Sequence, residues 1–120
     1  MATLEIANLK KSFGGLDVIQ DISFRVEAGE RRLIIGPNGA GKTTLFNLIA
    51  GDIRPSHGSI ALAGDDISRL PTFRRAACGI GRTFQILTLF SRQTVIRNVI
   101  LAMLGSDARR WNPLIPIDRD

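Results

Sequence analysis

Cysteine, tyrosine and long apolar runs are scarce or missing in this sequence. Its one cysteine, Cys78, cannot close an intrachain disulfide, and we expect it to be a small buried residue in a reducing compartment. The longest strictly apolar run, residues 99–104, is far shorter than the roughly 20 residues that a membrane-spanning helix needs. The first residues lack the basic start and apolar stretch of a secretory signal. These absences predict a cytoplasmic chain with no membrane span of its own.

The charge balance is basic, with 16 Lys and Arg against 11 Asp and Glu, which gives a formal net charge of +5. A basic surface can bind nucleic acid. However, the arginine pairs at 31–32, 74–75 and 109–110 are scattered, and the phenylalanines lie in apolar periodic contexts rather than in a stacking motif. We therefore expect no direct nucleic-acid binding, although a basic nucleic-acid binder stays open as an alternative.

The first part of the chain alternates between apolar and polar residues, as strands with one buried face do. This alternation covers residues 4–9 and 22–26, and Gly14 and Gly15 lie between the two stretches. A chain of 120 residues with 44% hydrophobic residues can build one buried core. The pattern predicts two antiparallel strands in a folded domain.

A strand, loop and helix are predicted next. Residues 33–35 are short, unbroken and apolar, which is typical of a strand buried on both faces. After a glycine-rich turn, Leu45, Leu48 and Ile49 share one helical face, and Gly51 is a typical helix stop.

Further elements are predicted downstream of this unit. Residues 59–63 alternate like a strand, and a short helix is expected between Pro71 and Gly79. Residues 80–84 favour another strand, and residues 95–104 favour a helix.

The loop before the predicted helix matches the pattern G-x-x-x-x-G-K-[S/T], and it lies between a strand and a helix as that pattern requires. With the residue that follows, the candidate phosphate site consists of Gly36, Pro37, Asn38, Gly39, Ala40, Gly41, Lys42, Thr43 and Thr44.

Each residue type in the loop suits a triphosphate. Gly36, Gly39 and Gly41 let backbone N–H groups converge on phosphate oxygens. Lys42 adds a charge on a stem that can reach the β- and γ-phosphates, and the Thr43 hydroxyl suits Mg²⁺. The last residue of the set, a threonine, could bond an α-phosphate oxygen. The loop thus predicts binding of a nucleoside triphosphate with Mg²⁺.

The stretch from Gly36 to Gly51 resembles the Walker A region of ATP-binding cassette (ABC) transporter subunits. By this resemblance, Phe13 takes the place of the aromatic that stacks on adenine, and Val18 would touch the base or ribose. Residues 79–85 resemble the segment that ends in the family's Q-loop glutamine, Gln85.

The resemblance implies roles for these residues. Lys42 and Gln85 would be catalytic, Thr43 and Gln85 would approach the Mg²⁺ ion, and the loop with Phe13 and Val18 would bind ATP.

The resemblance also implies an α/β fold of the P-loop NTPase type. Residues 1–120 would be the N-terminal part of an ABC nucleotide-binding domain, with an antiparallel β-subdomain and the start of the α/β core. The family's signature segment, Walker B strand and switch histidine would follow the Q-loop and do not occur in these 120 residues. The isolated chain is therefore expected to be hydrolytically inactive.

Residues 13–15, 46–47 and 82–85 favour the subgroup that powers uptake of branched-chain amino acids. The implied partners are transmembrane permease subunits and a second ATP-binding subunit, at the inner face of the cell membrane. A non-catalytic nucleotide-binding fragment and another P-loop enzyme, such as a kinase, are the alternatives.

Overall fold

The computed structural model describes residues 2–83 and 89–106, and the chain divides into two compact units, 1–80 and 81–120. The described residues of the first unit form β1 (Ala2–Phe13), β2 (Leu16–Glu27), α1 (Lys42–Ala50), β3 (His57–Leu62), β4 (Asp65–Asp66) and α2 (Thr72–Ala77). Those of the second unit form α3 (Val95–Ser106). Within the described residues, no helix is both long and apolar enough to cross a bilayer.

The strands β1 and β2 form a long antiparallel hairpin, which confirms the pairing predicted from alternation. Ile6 pairs with Phe24, and the strands meet at Gly14 and Gly15, whose φ angles are 53° and 89°. Positive φ at both turn residues is typical of a type I′ turn, whose twist suits a hairpin. Both strands extend beyond the alternating stretches that predicted them.

The sheet has the order β2-β1-β3-β4, and each neighbouring pair is antiparallel. β1 is irregular at Asn8, which has a positive φ of 48°. The first part of β3 lies so close that a Cβ atom on Gly58 would be 2.4 Å from the Asn8 carbonyl oxygen. Glycine is therefore needed at position 58 for β3 to pair with this part of β1.

The helix α1 packs on the sheet through Leu45 and Leu48, as its sequence pattern predicted. These two leucines share one apolar cluster with residues of the three longer strands and with Ile67, and the cluster comprises Ile6, Leu9, Ile19, Leu45, Leu48, Ile60 and Ile67. Gly51 ends the helix in the left-handed conformation, with φ 89°. The core of the first unit thus lies between α1 and the sheet.

Two predicted strands are not formed in the part of the chain that the structure describes. Residues 33–35 adopt no regular structure, and Leu33 and Ile35 are each 82% exposed. An apolar run predicts burial, but a strand also needs a neighbouring strand to accept its hydrogen bonds, and within the described residues none pairs with it. Residues 80–83 likewise form no strand, and Phe84 lies outside the described residues.

The two helices predicted before and after residues 80–84 of the sequence are confirmed. α2 begins directly after Pro71, and α3 begins after Thr94, whose hydroxyl accepts a hydrogen bond from the Arg97 N–H at 3.2 Å. A threonine in this place is a typical helix cap. The prediction for Cys78 is wrong, because the thiol-bearing residue is exposed at the end of α2.

Candidate functional site

The candidate phosphate loop, residues 36–41, leads directly into the first turn of α1. Gly39 and Gly41 have positive φ angles of 85° and 84°, a conformation that side chains with a Cβ atom rarely adopt. A Cβ atom on Gly41 would also lie 2.9 Å from Ile19 Cδ1 and 3.0 Å from the Val18 carbonyl oxygen. Gly41 therefore fixes the start of α1 tightly against β2.

Lys42, the first residue of α1, folds back over the loop. Its Nζ atom donates a hydrogen bond to the Pro37 carbonyl oxygen at 2.7 Å and another to the Gly36 carbonyl oxygen. The ammonium group thus contacts oxygen atoms that carry only partial negative charge. Phosphate oxygens, which carry full charge, would be stronger acceptors for the same donors.

The first amide groups of α1 are available to an anion. The first hydrogen bond of the helical ladder runs from Leu45 N to Gly41 O at 2.9 Å, so the amides of Lys42, Thr43 and Thr44 lie ahead of it. No side chain caps this end, and the first turn of this fully described helix contains no acidic residue. The positive end of the helix dipole therefore faces the loop without a resident negative charge. These features fit a polyphosphate.

A divalent cation would find fewer protein donors. Thr43 is exposed in the first turn of α1 and carries a hydroxyl group. Among residues 2–83 and 89–106, no group of three or more His, Cys, Asp or Glu side chains could hold a metal ion. Mg²⁺ commonly completes its octahedral shell with water and substrate phosphates, so a single hydroxyl fits a metal that arrives with the nucleotide.

Val18, one of the two predicted base-contacting residues, lies at the loop. Val18 lies beside Gly41, with its Cγ1 atom 3.5 Å from the place where a Cβ of Gly41 would be. Phe13 ends β1 and is 47% exposed, so part of this residue is accessible to solvent. Lys11 Nζ lies 4.7 Å from the centroid of this ring.

Lys11 is not among the site residues predicted from the sequence. Its signal is a lysine two residues before an aromatic in a strand, a spacing that puts both side chains on one face. The Lys11 ammonium group is attracted to the face of the aromatic ring, and this attraction stabilises the observed orientation of the Phe13 side chain. Gln85, the predicted Q-loop residue, lies outside the described residues.

A family model described as "ABC transporter" matches residues 19–118. Among curated proteins, the chain is 41% identical to the high-affinity branched-chain amino acid transport ATP-binding protein BraF of Pseudomonas aeruginosa. The 99 aligned residues cover 82% of this chain and 39% of BraF. It is 38% identical to the probable branched-chain amino acid transport ATP-binding protein LivG of Archaeoglobus fulgidus, over 91% of this chain and 42% of the relative. It is also 42% identical to the lipopolysaccharide export system ATP-binding protein LptB of Escherichia coli, over 86% and 43%.

Solved structures agree with the sequence relatives. MJ1267, an ATP-binding cassette of an ABC transporter, superposes with a TM-score of 0.79 at 30% identity, over 99% of this chain and 49% of that structure. A nucleotide-free ATP-binding cassette from an ABC transporter gives a TM-score of 0.78 at 31% identity, with the same coverage. The chain therefore has the fold of part of an ABC-type P-loop cassette, and it spans about two fifths of the length of the curated relatives it matches.

Proposed function

This chain belongs to the ABC transporter family, and from that premise we propose that residues 36–44 bind the phosphates of ATP together with Mg²⁺. The observation that carries the proposal is the glycine-rich loop at the uncapped positive end of α1, with the Lys42 ammonium folded over it. The loop and helix amides would hold the β- and γ-phosphates, and Lys42 would exchange its carbonyl partners for phosphate oxygens. Thr43 would supply one oxygen ligand to Mg²⁺.

The base of the nucleotide is proposed to stack on Phe13, with Val18 against the base or ribose. The exposed ring of Phe13 and the contact of Val18 with Gly41 support this assignment. Gln85 is proposed to approach the Mg²⁺ ion and, with Lys42, to take part in hydrolysis by the complete protein, on the strength of its sequence context alone.

At the scale of the protein, we infer that residues 1–120 correspond to the N-terminal part of an ABC nucleotide-binding domain. In the complete protein two such domains would close on ATP and drive a transmembrane permease, at the inner face of the cell membrane. The family match supports this assignment, and the partners follow from how ABC ATP-binding proteins work.

For the transported solute we propose branched-chain amino acids. Two of the curated relatives carry that description, and residues 13–15, 46–47 and 82–85 favour the same subgroup. Lipopolysaccharide export is the second candidate, because LptB is equally similar at 42% identity. Leucine accumulation in proteoliposomes that contain the intact protein with its permease would separate the two.

Replacement of Lys42 tests the nucleotide proposal. In calorimetric titration with Mg²⁺ and ATP, Lys42→Ala is expected to bind about 10- to 150-fold more weakly, since a charge-assisted contact contributes roughly 1.5–3 kcal/mol. Lys10→Ala is the matched control, because Lys10 is exposed on β1 and carries the same charge. ATP affinity that is equal in the wild type and in a folded Lys42→Ala variant would contradict the assignment.

A different P-loop enzyme, such as a kinase, would use the same loop on another acceptor. Transfer of the γ-phosphoryl group from ATP to a small-molecule or protein hydroxyl, rather than to water, would favour that alternative.

A further inference from the structure

Arg75, on the short helix α2, has a side chain buried to a degree that is rare for arginine, with 1% of the residue exposed. Its guanidinium group donates four hydrogen bonds, all to main-chain carbonyl oxygens. Burial lowers the pKa of Arg75, while the nearby carboxylates of Asp66 and Asp52 raise it. Arginine keeps its charge under such shifts.

Two of the four bonds end on the helix that carries the phosphate loop. Arg75 Nη1 donates to Leu48 O at 2.6 Å and to Ile49 O at 2.9 Å. Both carbonyls belong to the last turn of α1, where carbonyl groups lack partners within the helix and the dipole favours a positive charge.

The other two bonds anchor the same side chain to the segment between β4 and α2. Arg75 Nε donates to Leu70 O at 2.9 Å, and Nη2 donates to Ser68 O at 2.9 Å. Ser68 is itself buried and tied to the sheet, because its hydroxyl accepts a hydrogen bond from Ile60 N in β3 at 2.8 Å. The end of α1 is therefore connected to β3 through three hydrogen bonds in series, two donated by the Arg75 guanidinium and one accepted by the Ser68 hydroxyl.

Gly51 leaves room for the Arg75 side chain. A Cβ atom on Gly51, directly after α1, would lie 2.8 Å from Arg75 Nε and 3.0 Å from its Cδ atom. Gly51 thus serves both the left-handed turn that ends the helix and the approach of the guanidinium.

From these contacts we propose that Arg75 is a positioning residue for nucleotide binding, acting through α1 on the phosphate loop. α1 has only nine residues, about 13 Å at 1.5 Å per residue, and it is held at both ends. At its start Gly41 abuts Val18 and Ile19 of β2, and at its end Arg75 holds its carbonyls against the sheet. The proposal rests on the proposed function, since it assumes that the loop at the start of α1 binds ATP.

The test compares Arg75→Met with Arg74→Met in the full chain. Arg74 is exposed on the same helix, so its replacement removes an equal charge without touching α1. Arg75→Met is expected to weaken Mg²⁺-ATP binding about 10- to 100-fold, by analogy with the loss seen when a group that orients a metal ligand is removed. Arg74→Met should stay within about twofold of the wild type, and Arg75→Lys, which keeps the charge but not the planar fork, should fall between.

Affinity must be measured below the melting temperature of each variant, so that only folded protein is compared. A folded Arg75→Met protein that is less stable but binds ATP within twofold of the wild type would overturn the proposal, because Arg75 would then serve stability alone. If Arg75→Met does not fold, Arg75→Lys and Gly51→Ala decide by the same criterion. Gly51→Ala retains the arginine but crowds its guanidinium.

A second readout separates this proposal from the proposed function. Without nucleotide, Arg75→Met, or Arg75→Lys if the former does not fold, should speed hydrogen exchange of the Leu45 amide, which lies at the opposite end of α1 and bonds Gly41 O. Should the wild type fail to bind ATP, the proposed function fails, and exchange at Leu45 still decides whether Arg75 holds the helix. Faster exchange confined to the last turn of α1 would contradict the positioning role.

Discussion

At the scale of single residues, replacement of Phe13 most clearly separates the contribution of the base from that of the phosphates to ATP binding. It is 47% exposed at the end of β1, with Lys11 Nζ 4.7 Å from its centroid. A stacked base gains contact with an aromatic face, whereas phosphate groups gain nothing from it.

Phe13→Ala is therefore expected to weaken ATP binding by roughly 5- to 150-fold, as base stacking contributes about 1–3 kcal/mol. Binding of tripolyphosphate should not change, and competition titrations with both ligands measure the difference. Phe73→Ala is the control, since Phe73 is similarly exposed at 54% and also lies near a cation, Arg74. An equal loss of affinity for ATP and for tripolyphosphate would mean that Phe13 supports the structure of the loop and does not contact the base.

At the scale of elements, the packing of α1 on the sheet should dominate the stability of the first unit. Leu48 is fully buried in the apolar cluster, whereas Leu33, in the segment predicted as a buried strand, is 82% exposed. Loss of a buried leucine side chain leaves a cavity as well as removing apolar contact.

We expect Leu48→Ala to lower the free energy of unfolding by about 2–5 kcal/mol and Leu33→Ala to change it by no more than about 0.5 kcal/mol. Urea denaturation of both variants measures these differences. A Leu33→Ala cost as large as that of Leu48→Ala would mean that residues 33–35 are packed in solution, contrary to the structure.

The sequence predicted those elements whose signals are local. Three such signals each extend over only a few residues: the alternation in β1 and β2, the apolar face of α1 and the glycine after α1. The elements that they predict are all confirmed. The strand predicted at 33–35 depended on a neighbour that the apolar run itself does not specify, and it is not formed.

The candidate site divides in the same way. Residues 36–44 follow a fixed pattern, and the structure places residues 36–41 directly before α1, although the strand that the pattern expects ahead of the loop is not formed. The burial of Arg75 had no sequence signal, because its four acceptors are main-chain carbonyls that any residue would provide. Which side chain holds the far end of α1 depends on long-range packing, which a single sequence does not display.

At the scale of the whole molecule, the chain spans about two fifths of its curated relatives, so binding and turnover of ATP must be considered separately. The described residues supply the proposed phosphate loop and the Thr43 residue, but no group of three or more His, Cys, Asp or Glu side chains that could hold a metal ion. Hydrolysis also needs a group that orients the attacking water.

From the proposed assignment to the N-terminal part of a nucleotide-binding domain, we propose that the 120-residue chain binds ATP with no phosphate release above the rate in buffer. A phosphate-release assay at saturating Mg²⁺-ATP measures this directly, with Lys42→Ala as the control for contaminating ATPases. Turnover that the wild type shows and Lys42→Ala lacks would mean that this chain contains a complete hydrolytic site.

The central claim, that the loop at the start of α1 binds phosphate groups, is tested most directly by nuclear magnetic resonance of the backbone amides. Titration with Mg²⁺-ATP should shift the amides of residues 39–44, tripolyphosphate should shift the same set, and adenosine should leave it unchanged. Shifts of this kind would place the phosphates on the amides ahead of Leu45. A folded chain whose loop amides do not respond to ATP, or respond equally to adenosine, would contradict the account.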